Sequence, residues 1–183
     1  NLVRLNTSGI PERILDKLVT LDSVKVDKVF PSTIKITVER SVPMAAFYYG
    51  GMNYVISHIG RVMQIGTDNT DCMRILGYQP AESVIIGGFI TAEDPEQDRL
   101  VSEISAAVEK AELEDITSVN ISDNLDIVLI YDDRVEIHLG SILQIDEKMR
   151  VINELLFNGY IADTERVTLD VSDVNRAIQR PIT

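Results

Sequence analysis

Apolar and polar positions alternate along this chain with two different periods. Near the start, Ile10, Ile14, Leu15 and Leu18 recur at the spacing of one helical face, with Ser8 placed to cap it. Val24, Val26 and Val29, then Ile34, Ile36 and Val38, form two β-branched runs either side of Pro31-Ser32. They predict a hairpin whose Lys35, Thr37 and Glu39 lie on a wetter face. One short helix on one hairpin is a very small core, so the unit is expected to be covered by the next domain or completed by residues before Asn1.

From Phe47 the texture changes to short apolar runs punctuated by glycine. Gly50-Gly51 marks a hairpin, Gly60 and Gly66 mark breaks between strands, and the run from Val84 to Ile90 is strand-sized. Asp94, Pro95 and Gln97 predict a helix start with a cap, a proline in the first turn and a reciprocal box-like partner. Its apolar stripe is Leu100, Ile104, Ala107, Val108 and Ala111, leaving Arg99, Glu103 and Lys110 to solvent. A hairpin turning at Asp132-Asp133 follows, with Val135, Ile137 and Leu139 alternating against Glu136 and His138. A further helix is expected from Gln144 to Phe157, with Ile145, Met149, Ile152 and Leu156 on one face and Gly159 as its stop. Two extended runs, around Leu169 and around Ile178, finish the chain before Pro181. This order argues for an α+β fold with mainly antiparallel pairing rather than regular βαβ winding.

Composition narrows the functional classes. The 183 residues are 45% apolar and 25% charged, a folded balance with room for one large domain or two small ones. Lys and Arg number 17 against 29 Asp and Glu, a net charge of −12, and no basic stripe offsets it. Such a field repels phosphate and anionic headgroups, which argues against nucleic-acid binding. The single Cys72 permits neither an internal disulfide nor a multi-cysteine metal cluster. No run approaches the roughly 18 apolar residues of a membrane-spanning helix. The chain begins at Asn1 without a signal-peptide pattern and is expected to be part of a longer or processed protein.

Catalytic chemistry leaves no clean trace. His58 and His138 fall at polar strand positions without the spacing that brings two imidazoles to one metal, and both are expected at the surface. Acidic neighbours of Cys72 disfavour its thiolate. Gly50-Gly51 and Gly87-Gly88 lack the lysine of a phosphate loop and are expected in turns or bulges. Asp170, Asp173 and Asn175 resemble half of a calcium loop, but its glycine and terminal glutamate are missing. No catalytic residue, cofactor or metal is therefore expected, and a binding or scaffolding module is the physical default.

The first hairpin carries a more specific signal. Val24, Val26, Lys28, Phe30, Pro31, Ile34, Ile36, Val38, Glu39, Arg40, Pro43 and Ala45 resemble the hairpin motif of the bacterial cell-division proteins FtsQ and DivIB. That similarity continues through the NYVISHIGRVM segment, the HLGSILQIDEKMRVINELL segment and VTLDVSD, so it covers nearly the whole chain. Departures are Ser57 or His58 where the family has an acid, one extra residue between Arg40 and Pro43, and Asp170-Val171-Ser172 in the terminal strand.

The resemblance implies a partial POTRA domain, helix plus hairpin, over residues 1–46 and a mainly antiparallel β domain with two helices over 47–183. It implies a non-enzymatic, extracytoplasmic scaffold of the division machinery, held in the cell membrane by a single N-terminal helix outside this sequence. Its partners would be proteins of the FtsB/DivIC and FtsL types, bound by strand addition at the last strand. An apolar groove lined by Leu169, Val171, Ala177 and Ile178 is then expected there, with Arg176 or Arg180 meeting acidic partner residues. Leu169 and Val171 have a competing reading as core residues. Two other functions are weighed: a POTRA chaperone module of outer-membrane protein assembly, and a cell-wall hydrolase, which would need His58 or His138 beside carboxylates in a cleft.

Overall fold

The computed structural model describes residues 6–68, 71–82 and 84–182, and over them the chain is α+β. It divides into two compact units, one built from the described residues of 1–70 and 82–90, the other from those of 71–81 and 91–183. Among the described residues, six strand pairs within the units are antiparallel and two are parallel.

The first unit opens with helix α1 (Ile10–Leu15), which starts from Gly9 at φ 80 and not from a Ser8 side chain. Ser8 instead turns back, its N–H donating to Asn6 Oδ1 at 2.9 Å. Strands β1 (Leu21–Val29) and β2 (Thr33–Arg40) form the expected hairpin, with Val26 opposite Ile36. Every residue of β2 is exposed. A meander follows: β3 (Pro43–Tyr49), β4 (Met52–Ser57) and β5 (Val62–Gly66). Gly50 and Gly51, at φ 57 and 87, make the two-residue turn whose twist suits a hairpin and which only glycine enters without strain. Ala45, Ala46, Phe47, Val55, Ile56 and Val62 are buried, and the Phe47 ring stacks on Tyr54 at 5.0 Å.

Val84–Ile90 does not form a regular strand. It loops past β5, where Val62 N–H donates to Gly88 O at 2.9 Å and Gly87 N–H to Val62 O at 2.8 Å. Arg61, 5% exposed, fastens the loop from beneath. Its guanidinium donates to Gly87 O at 3.1 Å, Leu21 O at 3.0 Å and Leu15 O at 2.5 Å. One side chain thereby joins α1, β1 and the loop, because a planar fork of donors can serve three carbonyls at once.

In the second unit β6 (Met73–Leu76), β7 (Ile116–Asn120), β8 (Ile127–Tyr131), β9 (Val135–Gly140), β10 (Val167–Asp170) and β11 (Ile178–Pro181) lie in the order β11-β10-β9-β8-β7-β6. The parallel pairs β6/β7 and β9/β10 are each joined through a helix, α2 (Pro95–Lys110) and α3 (Ile145–Phe157), as a parallel connection requires. Asp94 caps α2 by accepting from Glu96 N–H at 3.0 Å. Gln97 is not its reciprocal partner: it donates to Gly77 O at 2.9 Å and accepts from Gln79 N–H at 2.9 Å, satisfying main-chain groups of the loop after β6. Leu100, Ile104 and Ala107 of α2 are buried, as are Met149, Ile152 and Leu156 of α3 and the alternate residues Val135, Ile137 and Leu139 of β9.

Candidate functional site

The site is the outer strand of this sheet, and local turn chemistry delivers the chain to it. After β10, Asp170 Oδ1 accepts from Ser172 N–H at 3.0 Å and Ser172 Oγ at 2.7 Å. Asp173 Oδ1 accepts from Asn175 N–H at 3.0 Å, and Arg176 N–H closes onto Asp173 O at 3.0 Å. Short acidic and amide side chains that bond the backbone two residues on reverse the chain in this way. Among the described residues no group of three or more His, Cys, Asp or Glu is disposed to hold a metal ion.

Hydrogen-bond parity shows what β11 offers. Ile182 N–H donates to Arg166 O at 3.0 Å, in the same register that sets Thr168 opposite Arg180 and Asp170 opposite Ile178. In an antiparallel pair such bonded residues alternate with non-bonded ones, so Ile178 and Arg180 turn their main-chain groups to β10. On the other side of β10, Val167 N–H donates to Arg134 O, just before β9, and Val171 N–H to His138 O within it, which agrees with this phase. The Gln179 N–H and C=O and the Pro181 C=O therefore point away from β10. Among the described residues no strand pairs with that side.

The expected groove residues separate by face. Leu169 and Val171 are 1% and 0% exposed, so they belong to the core and do not line a groove, as alternation along β10 requires. Ile178 is half-buried, and Arg176, Ala177 and Arg180 are exposed. The accessible part of the predicted site thus reduces to Arg176, Ala177, Ile178 and Arg180.

Sequence reasoning missed a cluster on the same sheet face as Ile178. His138 on β9 is in register with Asp170, which is in register with Ile178. Its Nδ1 lies 3.1 Å from Asp126 Oδ1 and its Nε2 2.8 Å from Glu136 Oε1. Burial pulls the imidazole pKa down, but hydrogen bonds to Glu136 and Asp126 and their charges outweigh it and leave it raised. Hydrogen bonds from Ser172, with His138 and Arg180 nearby, lower the Asp170 pKa against a smaller opposing effect of burial. Glu136 and His138 alternating in β9 were the only sequence signal. Asp126 comes from the loop before β8, a distance no local pattern encodes.

His58 also has an acidic neighbour, with Nδ1 3.1 Å from Asp22 Oδ2. That carboxylate is nearly sealed from solvent, and its other oxygen accepts from the Ser41 hydroxyl. Carboxylates beside both imidazoles meet one condition set for a hydrolase. However, the Ser41 hydroxyl is bonded to the acid, and both His138 nitrogens are occupied by carboxylates.

No family model and no curated protein matches the chain. Among solved structures, the chain is similar to the major extracytoplasmic domain of the trans isomer of the cell-division protein DivIB from Geobacillus stearothermophilus, at 11% identity and a TM-score of 0.41, covering 68% of this chain and 99% of that one.

Proposed function

We propose that this chain is a non-enzymatic, extracytoplasmic scaffold of bacterial cell division, anchored at the cell membrane, that takes up an extended segment of an FtsB/DivIC-type or FtsL-type partner along β11. Residues 1–46 would then be the C-terminal part of a POTRA domain and 47–183 the β domain. The sequence motif of the first hairpin supports the family, and the outward-facing main chain of β11 carries the mechanism. An edge strand templates an incoming strand through such unpaired groups.

Backbone bonds cannot hold the partner alone. Each contributes about 0.5–1.5 kcal/mol net, whereas association costs on the order of 4–15 kcal/mol. Pro181 supplies no donor, so the edge is short, and side chains must contribute the remainder. Ile178 is suited to an apolar contact and Arg180, with Arg176, to a carboxylate. The surrounding field opposes this at long range, since 22 of the 29 acidic residues but 9 of the 17 basic ones fall in this unit. Beyond about 8–10 Å that field is screened at physiological salt, and the local arginines dominate.

The test is co-purification with a co-expressed FtsB/DivIC-type partner. Gln179→Pro removes an outward donor at the same strand parity as the native Pro181, leaving the bonds to β10 intact. Ala177→Pro and Ile178→Asp challenge the start of the strand and its apolar contact. Loss of the partner with an unchanged thermal melt is expected for all three. Retention of the partner by all three would remove the edge as the binding site.

A further inference from the structure

An asparagine followed by glycine carries chemistry of its own, because the next main-chain amide can attack the asparagine side chain when no side chain stands in its way. Asn158-Gly159 is the one such pair in the sequence. It lies at the end of α3, where Asn158 is the exposed C-cap at φ −95 and ψ 13 and Gly159 takes φ 78. We propose that Asn158 is a site of spontaneous covalent modification, at which water converts the asparagine to aspartate and isoaspartate without an enzyme.

Three observations separate Asn158 from the other asparagines. First, among the described residues no hydrogen bond holds its carboxamide or the Gly159 N–H that must attack it. Elsewhere one or the other is tied. The carboxamides of Asn53 and Asn153 donate to Asp68 O at 2.9 Å and Ala111 O at 2.8 Å, and those of Asn6, Asn120 and Asn175 bond within their own turns. Asn124 is followed by Leu125, whose N–H donates to Asp123 Oδ1 at 2.8 Å. Second, a Cβ added at Gly159 would meet nothing within 4 Å, so solvent base reaches the amide. Third, the attack needs Asn158 ψ to turn away from 13, and Asn158 sits beyond the last helical residue, Phe157, where helix ends fray. Glycine absorbs the accompanying main-chain change.

The chemistry closes with water as the co-reactant. Solvent base takes the Gly159 N–H proton, the nitrogen bonds to Asn158 Cγ, and the Cγ–Nδ2 bond breaks with loss of ammonia. Water then opens the cyclic imide. Breaking its new bond at Cγ leaves aspartate, whereas breaking the original peptide bond leaves isoaspartate, whose main chain runs through Cβ and Cγ. Either product places a carboxylate at the negative end of α3, whose last turn holds no basic residue. Isoaspartate also lengthens the main chain between Leu156 and Ile161, which are both buried, at the start of the connection to β10.

The test incubates the full chain in mildly alkaline buffer, then maps its peptides by mass spectrometry and reads isoaspartate by methyl transfer from a protein-isoaspartate methyltransferase. Conversion of amide to acid is expected at Asn158 about tenfold faster than at any other asparagine, since the attack is intramolecular and set by access. The rate should climb with pH, because the attacking amide must lose its proton. Asn158→Gln would have to close a larger ring and is expected to lose the methyl acceptance. Conversion of another asparagine while Asn158 stays intact would overturn the proposal, as would methyl acceptance unchanged in Asn158→Gln. The readout is chemical and needs no partner, so it stands apart from the co-purification test of β11.

Discussion

Lys148 donates from its ammonium to the main-chain carbonyl of Leu139 at 2.7 Å and to that of Ser141 at 2.8 Å, so the first turn of α3 closes the end of β9. The lysine is 2% exposed, and burial lowers its pKa. Lys148→Met keeps the aliphatic stem but leaves both carbonyls without their donor. Loss of about 1.5–3 kcal/mol is expected, the usual range for hydrogen bonds to a charged group, read from the urea midpoint.

Arg61 makes a second prediction of the same kind. Arg61→Met strands three carbonyls and is expected to cost about 3 kcal/mol. Arg61→Lys restores the charge but not the fork, so about half of the loss should persist. A lysine variant as stable as the native protein would show that charge, and not geometry, holds the loop to β5.

The pH dependence of stability should report on His138. Its pKa in the folded protein is raised by Glu136 and Asp126 despite burial, so the folded state binds the proton more tightly than the unfolded chain does. The associated stabilisation is fully present below the unfolded imidazole value of roughly 6.5 and is lost as pH rises through the higher folded value. Urea midpoints compared between about pH 5.5 and about pH 8.5 should fall less steeply in His138→Gln than in the native protein. An unaltered slope would assign the dependence to another group.

Two glycines at positive φ should respond differently to alanine. Gly50 lies at φ 57 with no heavy atom within 4 Å of an added Cβ, so Gly50→Ala should cost only the left-handed backbone penalty, about 1–2 kcal/mol. Gly140 lies at φ 63, and its Cβ would meet Ser172 Cβ at 2.9 Å. Gly140→Ala is therefore expected to be clearly the more destabilising of the two by thermal melt, because it also displaces the turn leading to β11.

How much of this was legible in the sequence depends on the range of the interaction. The hairpin at Asp132-Asp133 was readable because both residues take φ 50 and the turn closes locally, with Arg134 N–H on Tyr131 O at 3.1 Å. Helix α2 was readable from Asp94, Pro95 and its apolar stripe, though Gln97 found a better partner in a loop some twenty residues earlier. Of the candidate edge residues, Arg176, Ala177 and Arg180 are exposed and Ile178 is half-buried. Leu169 and Val171 were not separable from them, since alternation says that two faces differ but not which face the rest of the chain covers.

By itself the sequence determined the α+β character, the two interspersed helices and the hairpins, all of which follow from side chains acting on backbone within a few residues. Only the tertiary structure decided that β10 lies parallel to β9, that Lys148 and Arg61 are spent on main-chain carbonyls, that His138 gathers Asp126 and Glu136, and that no strand among the described residues pairs with the outer side of β11. Those outcomes depend on which strands become neighbours, and neighbours distant in sequence are chosen by packing of the whole chain, for which no local period carries a signature.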